Sequence, residues 1–108
     1  MLGFNTALRF GAVSVLHAVA TGSRFGFDVM DATGLTSGTV YPTLDRLEQA
    51  GLLTSTWESP AIAHAEKRPA RRYFKLTAAG ATALSAALQK YKTLRPVTLG
   101  PDLEPSEG

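Results

Sequence analysis

Between positions 34 and 53 the chain reads GLTSGTVYPTLDRLEQAGLL, and this stretch limits the fold more than any other. Val40, Leu44 and Leu47 recur at i, i+4 and i+7, the spacing of one buried helical stripe, so a helix should open from the turn Gly34-Leu35-Thr36-Ser37-Gly38. Its other side offers Ser37, Thr39, Tyr41, Asp45, Arg46 and Gln49, a face suited to hydrogen bonding. Pro42 removes one backbone donor near the N-terminal end, which predicts a kink or a tightened first turn. Gly51 is placed to end the helix in a left-handed conformation before Leu52-Leu53 begins an extended segment.

Two elements are expected ahead of this helix. Asn5 or Thr6 can cap a first helix with Leu8, Val13, Leu16 and Val19 inward and Gly22 as its stop. Arg9 and the apolar run closing on Ala18-Val19-Ala20 imitate a short signal peptide, but Ser14 and His17 interrupt that run. Its i, i+3, i+4 rhythm is that of a core helix, and a cytoplasmic protein is expected. No apolar run reaches the ~20 residues that span a bilayer, so no membrane association is expected. Phe25-Gly26-Phe27-Asp28-Val29-Met30 predicts a second helix of about two turns, with Phe27 and Met30 inward before Gly34 breaks it.

Beyond the polar-faced helix the periodicity changes to two. Residues 52–58 alternate, with Leu53, Ser55 and Trp57 on one face, and residues 71–76 do the same with Arg72, Phe74 and Leu76. They predict a hairpin joined by SPAIAHAEKRPA, a long loop ending in charge. Thr77 should cap a last helix whose stripe is Leu84, Ala87, Leu88, Tyr91 and Leu94 and which should stop near Arg95-Pro96. Residues 96–108, rich in Pro and acid, are expected to be a disordered tail. Eleven Lys and Arg against six acids give residues 1–95 a charge of +5, while the tail carries −3. The expected fold is mainly α with a small β-hairpin (α+β): a winged helix-turn-helix over residues 1–76, a C-terminal dimerisation helix over 77–95, and the acidic tail.

Catalysis has no residues to stand on. The chain has no Cys, His17 and His64 have no companion at metal-ligand spacing, and no GxxxxGK[ST] cradle is present. Neither an enzyme nor a bound cofactor or metal is expected. The carboxylates Asp28, Asp31, Asp45 and Glu48 read as solvated helix charges, Asp45 paired with Arg46 or simply exposed. Lys67, Arg68, Arg71, Arg72 and Lys75 put five cations within nine residues of the hairpin, opposed locally only by Glu66. Such a cluster can be a solvated edge that discourages strand pairing. Beside a polar-faced helix it is also the arrangement in which wing cations hold phosphates of double-stranded DNA and helix side chains meet base edges. Candidate DNA contacts are therefore Thr36, Ser37, Gly38, Thr39, Tyr41 and Arg46 on the helix, with Lys67, Arg68, Arg71 and Arg72 on the wing. Tyr73 is expected to pack within the fold. On the last helix Leu84, Leu88, Tyr91 and Leu94 are expected to meet a second copy across a two-fold axis, which favours a palindromic site.

These residues resemble the PadR family of bacterial transcriptional regulators. Phe25-Gly26-Phe27-Asp28-Val29 is similar to the family's His-Gly-Tyr-Glu-Ile, and Gly38-Thr39-Val40-Tyr41-Pro42-Thr43-Leu44 is followed by Arg46-Leu47-Glu48 and Gly51-Leu52. The run from Arg68 through Arg72-Tyr73-Phe74-Lys75-Leu76-Thr77 to Gly80 completes the likeness, which covers about residues 8–92. It implies a winged-helix homodimer, usually a repressor, that contacts DNA around Gly38, Thr39 and Tyr41 and through the wing. In many members a small aromatic or drug-like effector releases the DNA. Phe25 stands where the family has His, the 59–64 loop is longer and more apolar than usual, and the single tryptophan, Trp57, is on a strand rather than on the terminal helix. The rival reading is a winged helix used as a protein-protein module, its basic hairpin only a solubility edge.

Overall fold

The computed structural model describes the backbone of residues 9–103 and side chains as far as Lys90. Its elements in chain order are α1 (Phe10–Ala20), α2 (Gly26–Thr33), α3 (Ser37–Gln49), β1 (Leu53–Trp57), α4 (Pro60–Ala65), β2 (Arg72–Leu76) and α5 (Ala78–Leu103). The mainly helical chain with one antiparallel hairpin is the architecture that the hydrophobic pattern calls for. The caps expected at Asn5 or Thr6, the inward Leu8 and the last residues of the acidic tail lie outside the described residues.

One core joins every long element. Val13, Val15 and Leu16 of α1, Val29 of α2, and Val40, Leu44 and Leu47 of α3 are buried together with Leu52, Leu53, Phe74 and Leu84. The α3 stripe is the one its spacing predicts, and each fully enclosed Val or Leu contributes about 1.5–3 kcal/mol relative to exposure. The second helix is turned differently from expectation: Phe27 is 68% exposed and Val29 takes the inward place. A helix of about two turns has too few apolar positions for periodicity to set its phase.

Helix α3 runs continuously through Pro42. Its first turn is tight, with the Thr39 and Val40 amides both donating to the Thr36 carbonyl at 3.0 and 2.9 Å. The carbonyl four residues before Pro42 belongs to Gly38, in the exposed first turn, where water can replace the missing donor. At the other end Gly51 adopts φ 82°. The amides of Gly51 and Leu52 donate to Glu48 and Leu47, each at 2.9 Å, closing the expected glycine cap as a Schellman motif.

The hairpin register pairs Leu53 with Leu76, Ser55 with Phe74 and Trp57 with Arg72, joining the two faces that alternation assigns to each strand. The Phe74 amide also donates to the Arg24 carbonyl at 2.8 Å, so the segment before α2 borders β2 on its other edge. The connection expected as open loop contains α4 instead. Ser59 accepts from the Ile62 amide at 3.2 Å as N-cap, Pro60 fills the first turn, and Ala63 is buried. This short helix closes with Lys67 in the left-handed region at φ 57°. The amides of Lys67 and Arg68 donate to His64 and Ala63.

Thr77 caps α5 as expected, accepting from the Gly80 amide at 2.9 Å while its hydroxyl donates to the Gly51 carbonyl at 2.7 Å. Gly80 itself is buried, and a Cβ there would run into the Leu52 carbonyl oxygen. The start of α5 is thereby seated on the turn that ends α3. Helix α5 continues through Pro96 and Pro101 to Leu103, past the stop expected at Arg95-Pro96 and into the segment expected to be disordered. A proline inside a helix removes one donor and crowds one turn while leaving the bonds on either side in place. No helix among the described residues is long and apolar enough to cross a membrane.

Candidate nucleic-acid interface

The first turn of α3 stands open. Thr36, Ser37, Gly38 and Thr39 are all exposed, and the Thr36 side chain, at the N-cap position, makes no capping hydrogen bond. The amides of the first turn therefore point outward without a side-chain acceptor from the cap, and the helix dipole adds partial positive charge there. An anion is favoured at such an end.

Tyr41 has a structural task as well as an exposed one. Its ring lies over the backbone of Gly26, so that a Cβ on Gly26 would fall within the ring, yet 44% of the residue remains exposed. Two glycine- and tyrosine-bearing pieces of sequence, fifteen positions apart, thus form one contact between α2 and α3.

The basic cluster divides. Arg68 forms a two-pronged ion pair with Glu58, at 2.6 and 2.9 Å, and the Glu58 side chain is only 5% exposed. Glu58 also accepts from the Arg71 amide at 3.2 Å and the Tyr73 hydroxyl at 3.3 Å. The Arg68 guanidinium hydrogen-bonded to it, helped by those further donors, holds its carboxyl down at about 2 from an ordinary 4.5, against the opposing effect of burial. The pairing correspondingly raises the Arg68 pKa.

Arg72 reaches across to α3, bonding Asp45 at 3.0 Å, Ser55 at 3.1 Å and Glu48 more closely still. Ser55 in turn donates to Glu48 at 2.7 Å. The hairpin and the second half of α3 are thereby tied by one charged network. Asp45 pairs with Arg72, not with Arg46, and the carboxylates opposing the basic cluster are Glu58, Asp45 and Glu48 rather than Glu66 alone.

What remains uncommitted is different from the list of cations in the sequence. Arg46 and Lys67 are exposed, and among the described residues neither forms an ion pair. Arg71 places its guanidinium 4.1 Å from the centre of the Phe25 ring and has no carboxylate on its side chain among the described residues. Tyr73 packs as expected, edge to face with Phe25 at 5.7 Å. His17 and His64 are both exposed, and no group of His, Asp or Glu among the described residues is arranged to hold a metal ion.

The geometry has counterparts among known proteins. Residues 15–86 match the model of the family described as "Transcriptional regulator PadR-like family". No curated protein matches the sequence significantly. Among solved structures the chain is similar to Bordetella bronchiseptica BpsR, whose DNA binding is regulated by 6-hydroxynicotinic acid, with a TM-score of 0.74 and 24% identity over 94% of this chain and 72% of that one. It is also similar to a PadR family transcription regulator from Clostridium difficile R20291, with a TM-score of 0.72 and 19% identity over 89% of this chain and 100% of that one. PcaV from Streptomyces coelicolor, a transcriptional regulator solved with its natural ligand, gives 0.72 and 21% over 86% and 62%. At such identities the likeness is one of fold.

Proposed function

Because the chain belongs to the PadR-like family of transcriptional regulators, we propose that it acts in the cytoplasm as a homodimeric repressor, binds a palindromic DNA operator, and is released from it by a small-molecule effector. Members of this family are transcriptional regulators and not enzymes. The observation that carries the reading is the open first turn of α3, where Thr36, Ser37, Gly38 and Thr39 are exposed and the cap hydroxyl leaves the helix amides free. Phosphate or base edges are suited to that turn, with Tyr41 and Arg46 further along the same helix. Lys67 and Arg71 supply the wing contacts, while Arg68 and Arg72 act by shaping the wing and holding it against α3.

Dimerisation belongs to the later turns of α5. Leu84 is buried in the chain's own core at 7% exposure, so it is not free for a partner, whereas Leu88 is 41% exposed. The side chains of Tyr91 and Leu94 lie outside the described residues. With Leu88 they form the surface assigned to the second copy, and two α3 helices about one DNA turn apart would then favour a palindrome. Effector release is supported by the ligand dependence of BpsR and the ligand bound to PcaV, both similar in fold.

The test is selection of bound duplexes from a random pool at about physiological salt. Enrichment of a palindrome with half-sites about ten base pairs apart is expected. If about eight phosphates are neutralised per dimer, log K against log salt should fall with a slope of roughly −7. A folded dimer that enriches no motif would end the operator reading and favour protein recognition.

A further inference from the structure

Beside the DNA-reading turn lies a cleft that the proposed DNA contacts do not fill. Phe27 of α2, Tyr41 of α3 and Trp57 at the end of β1 line this cavity of about 340 Å³, with Arg71 at its rim. The three rings are 68%, 44% and 64% exposed, and rings gathered round one concavity mark a binding surface in a way that scattered ones do not. Ligand sites of about 300–1,000 Å³ lined by aromatic groups with a few placed polar groups are the usual form of a small-molecule pocket.

The charge at the rim is selective. Arg68 and Arg72, on either side of Arg71 along the chain, are held by Glu58 and by Asp45 and Glu48. Arg71 alone of the three keeps its guanidinium clear of carboxylates, steadied against the Phe25 ring at 4.1 Å. A planar fork with one uncompensated charge matches one carboxylate. The apolar rings beside it match a flat ring.

We propose that this cleft binds a small planar aromatic carboxylate, its ring among Phe27, Tyr41 and Trp57 and its carboxylate on Arg71. The consequence for regulation rests on the DNA-binding reading above: Tyr41 and Arg71 are also assigned to DNA, so ligand and duplex compete for the same groups without any relay through the dimer interface.

Trp57 is the only tryptophan, which makes its indole N–H a single reporter at the cleft. The full chain is titrated with 4-hydroxybenzoate and separately with 4-hydroxybenzamide, without DNA, and the indole resonance followed by NMR. The benzoate should shift it saturably and bind about tenfold or more tightly than the amide, the effect of one charge-assisted pair. Arg71→Gln should remove that preference, and Phe27→Ala, which truncates an exposed ring, should weaken both ligands. No saturable shift, equal binding of benzoate and amide, or an unchanged preference in a folded Arg71→Gln chain overturns the proposal. If Arg71→Gln fails to fold, the benzoate-amide pair and Phe27→Ala decide the matter. Because no DNA is present, a failed titration leaves operator binding standing, and a failed duplex selection leaves the cleft standing. Benzoate that fills the cleft without weakening duplex binding overturns the competition.

Discussion

The two ends of α3 belong to one helix and are treated in opposite ways by the rest of the chain. At the C-terminal end Leu44 and Leu47 are buried, Asp45 and Glu48 are gripped by Arg72 from the hairpin, and Gly51 and Leu52 receive Thr77 and Gly80 from α5. At the N-terminal end Thr36 to Thr39 are exposed and the cap hydroxyl makes no bond to the helix. The contrast teaches how a short helix can be both exposed and accurately placed. Its locked half fixes its position relative to the wing and α5, and that rigidity costs the open half none of its hydrogen-bonding capacity.

The deepest attack on the locked half is Leu44→Ala. Leu44 is fully enclosed, and deletion of a buried Leu side chain costs about 2–5 kcal/mol, depending on how far the cavity collapses. Chemical denaturation should register that loss; a cost below about 1 kcal/mol would mean that α3 is not anchored through this stripe.

Gly80→Ala comes next. The new Cβ would strike the Leu52 carbonyl, a backbone atom, so about 1–3 kcal/mol should be lost as the start of α5 lifts from the turn after α3. Gly11→Ala is its counterpart within α1, with nothing near the added carbon. There the same substitution should stabilise by about 0.5–1 kcal/mol through helix propensity. Matching signs for the two in thermal melts would contradict the seating of α5.

The wing has its own lock in Glu58. Its carboxyl is held down at about 2 from 4.5, so its charge stabilises the fold fully above pH 4.5, and that contribution drains away as pH falls toward 2. The difference in melting temperature between the parent chain and Glu58→Gln should therefore be largest above pH 4.5 and shrink toward pH 2. A difference independent of pH would show that Arg68 does not lean on this charge. Arg72→Ala is milder, since its pairs are partly exposed, and about 0.2–1 kcal/mol is expected. It also sharpens the division of the cations: Lys67→Ala should lower the salt slope of duplex binding by about one unit, and Arg72→Ala should leave it unchanged. Equal reductions would return Arg72 to the phosphate contacts.

Much of this was legible in the chain because it depends on local periodicity. The α3 stripe, the matched faces of the hairpin, the Gly51 end and the Thr77 cap each follow from residues within one or two turns of one another. Helix α4 carried a signal that was passed over: Ser59-Pro60 is an N-cap followed by the residue that suits a first helical turn, within a segment long enough to be read as loop. The fates of Arg68 and Arg72 carried no such signal. Arg68 meets Glu58 because α4 folds the chain back, and Arg72 meets Asp45 and Glu48 because the hairpin docks on α3, contacts set by tertiary arrangement rather than spacing. The same holds for the cleft, whose rings come from α2, α3 and β1.

The smallest effect tests the open half most directly, because two threonines occupy equivalent places at the starts of two helices. Thr77 accepts from the Gly80 amide and donates to Gly51, so Thr77→Ala should cost about 0.5–2 kcal/mol, as for other capping residues. Thr36 is the N-cap of α3 and makes no such bond. Thr36→Ala should change stability by less than about 0.5 kcal/mol, within the range of an ordinary surface substitution. Duplex affinity should respond the other way round, weakened by Thr36→Ala through a lost contact worth about 0.5–1.5 kcal/mol. Denaturation midpoints and duplex titrations on both variants separate the possibilities. A Thr36→Ala chain as destabilised as Thr77→Ala would mean that the hydroxyl caps its own helix in solution, and the amides at the start of α3 would then be occupied rather than free for phosphate.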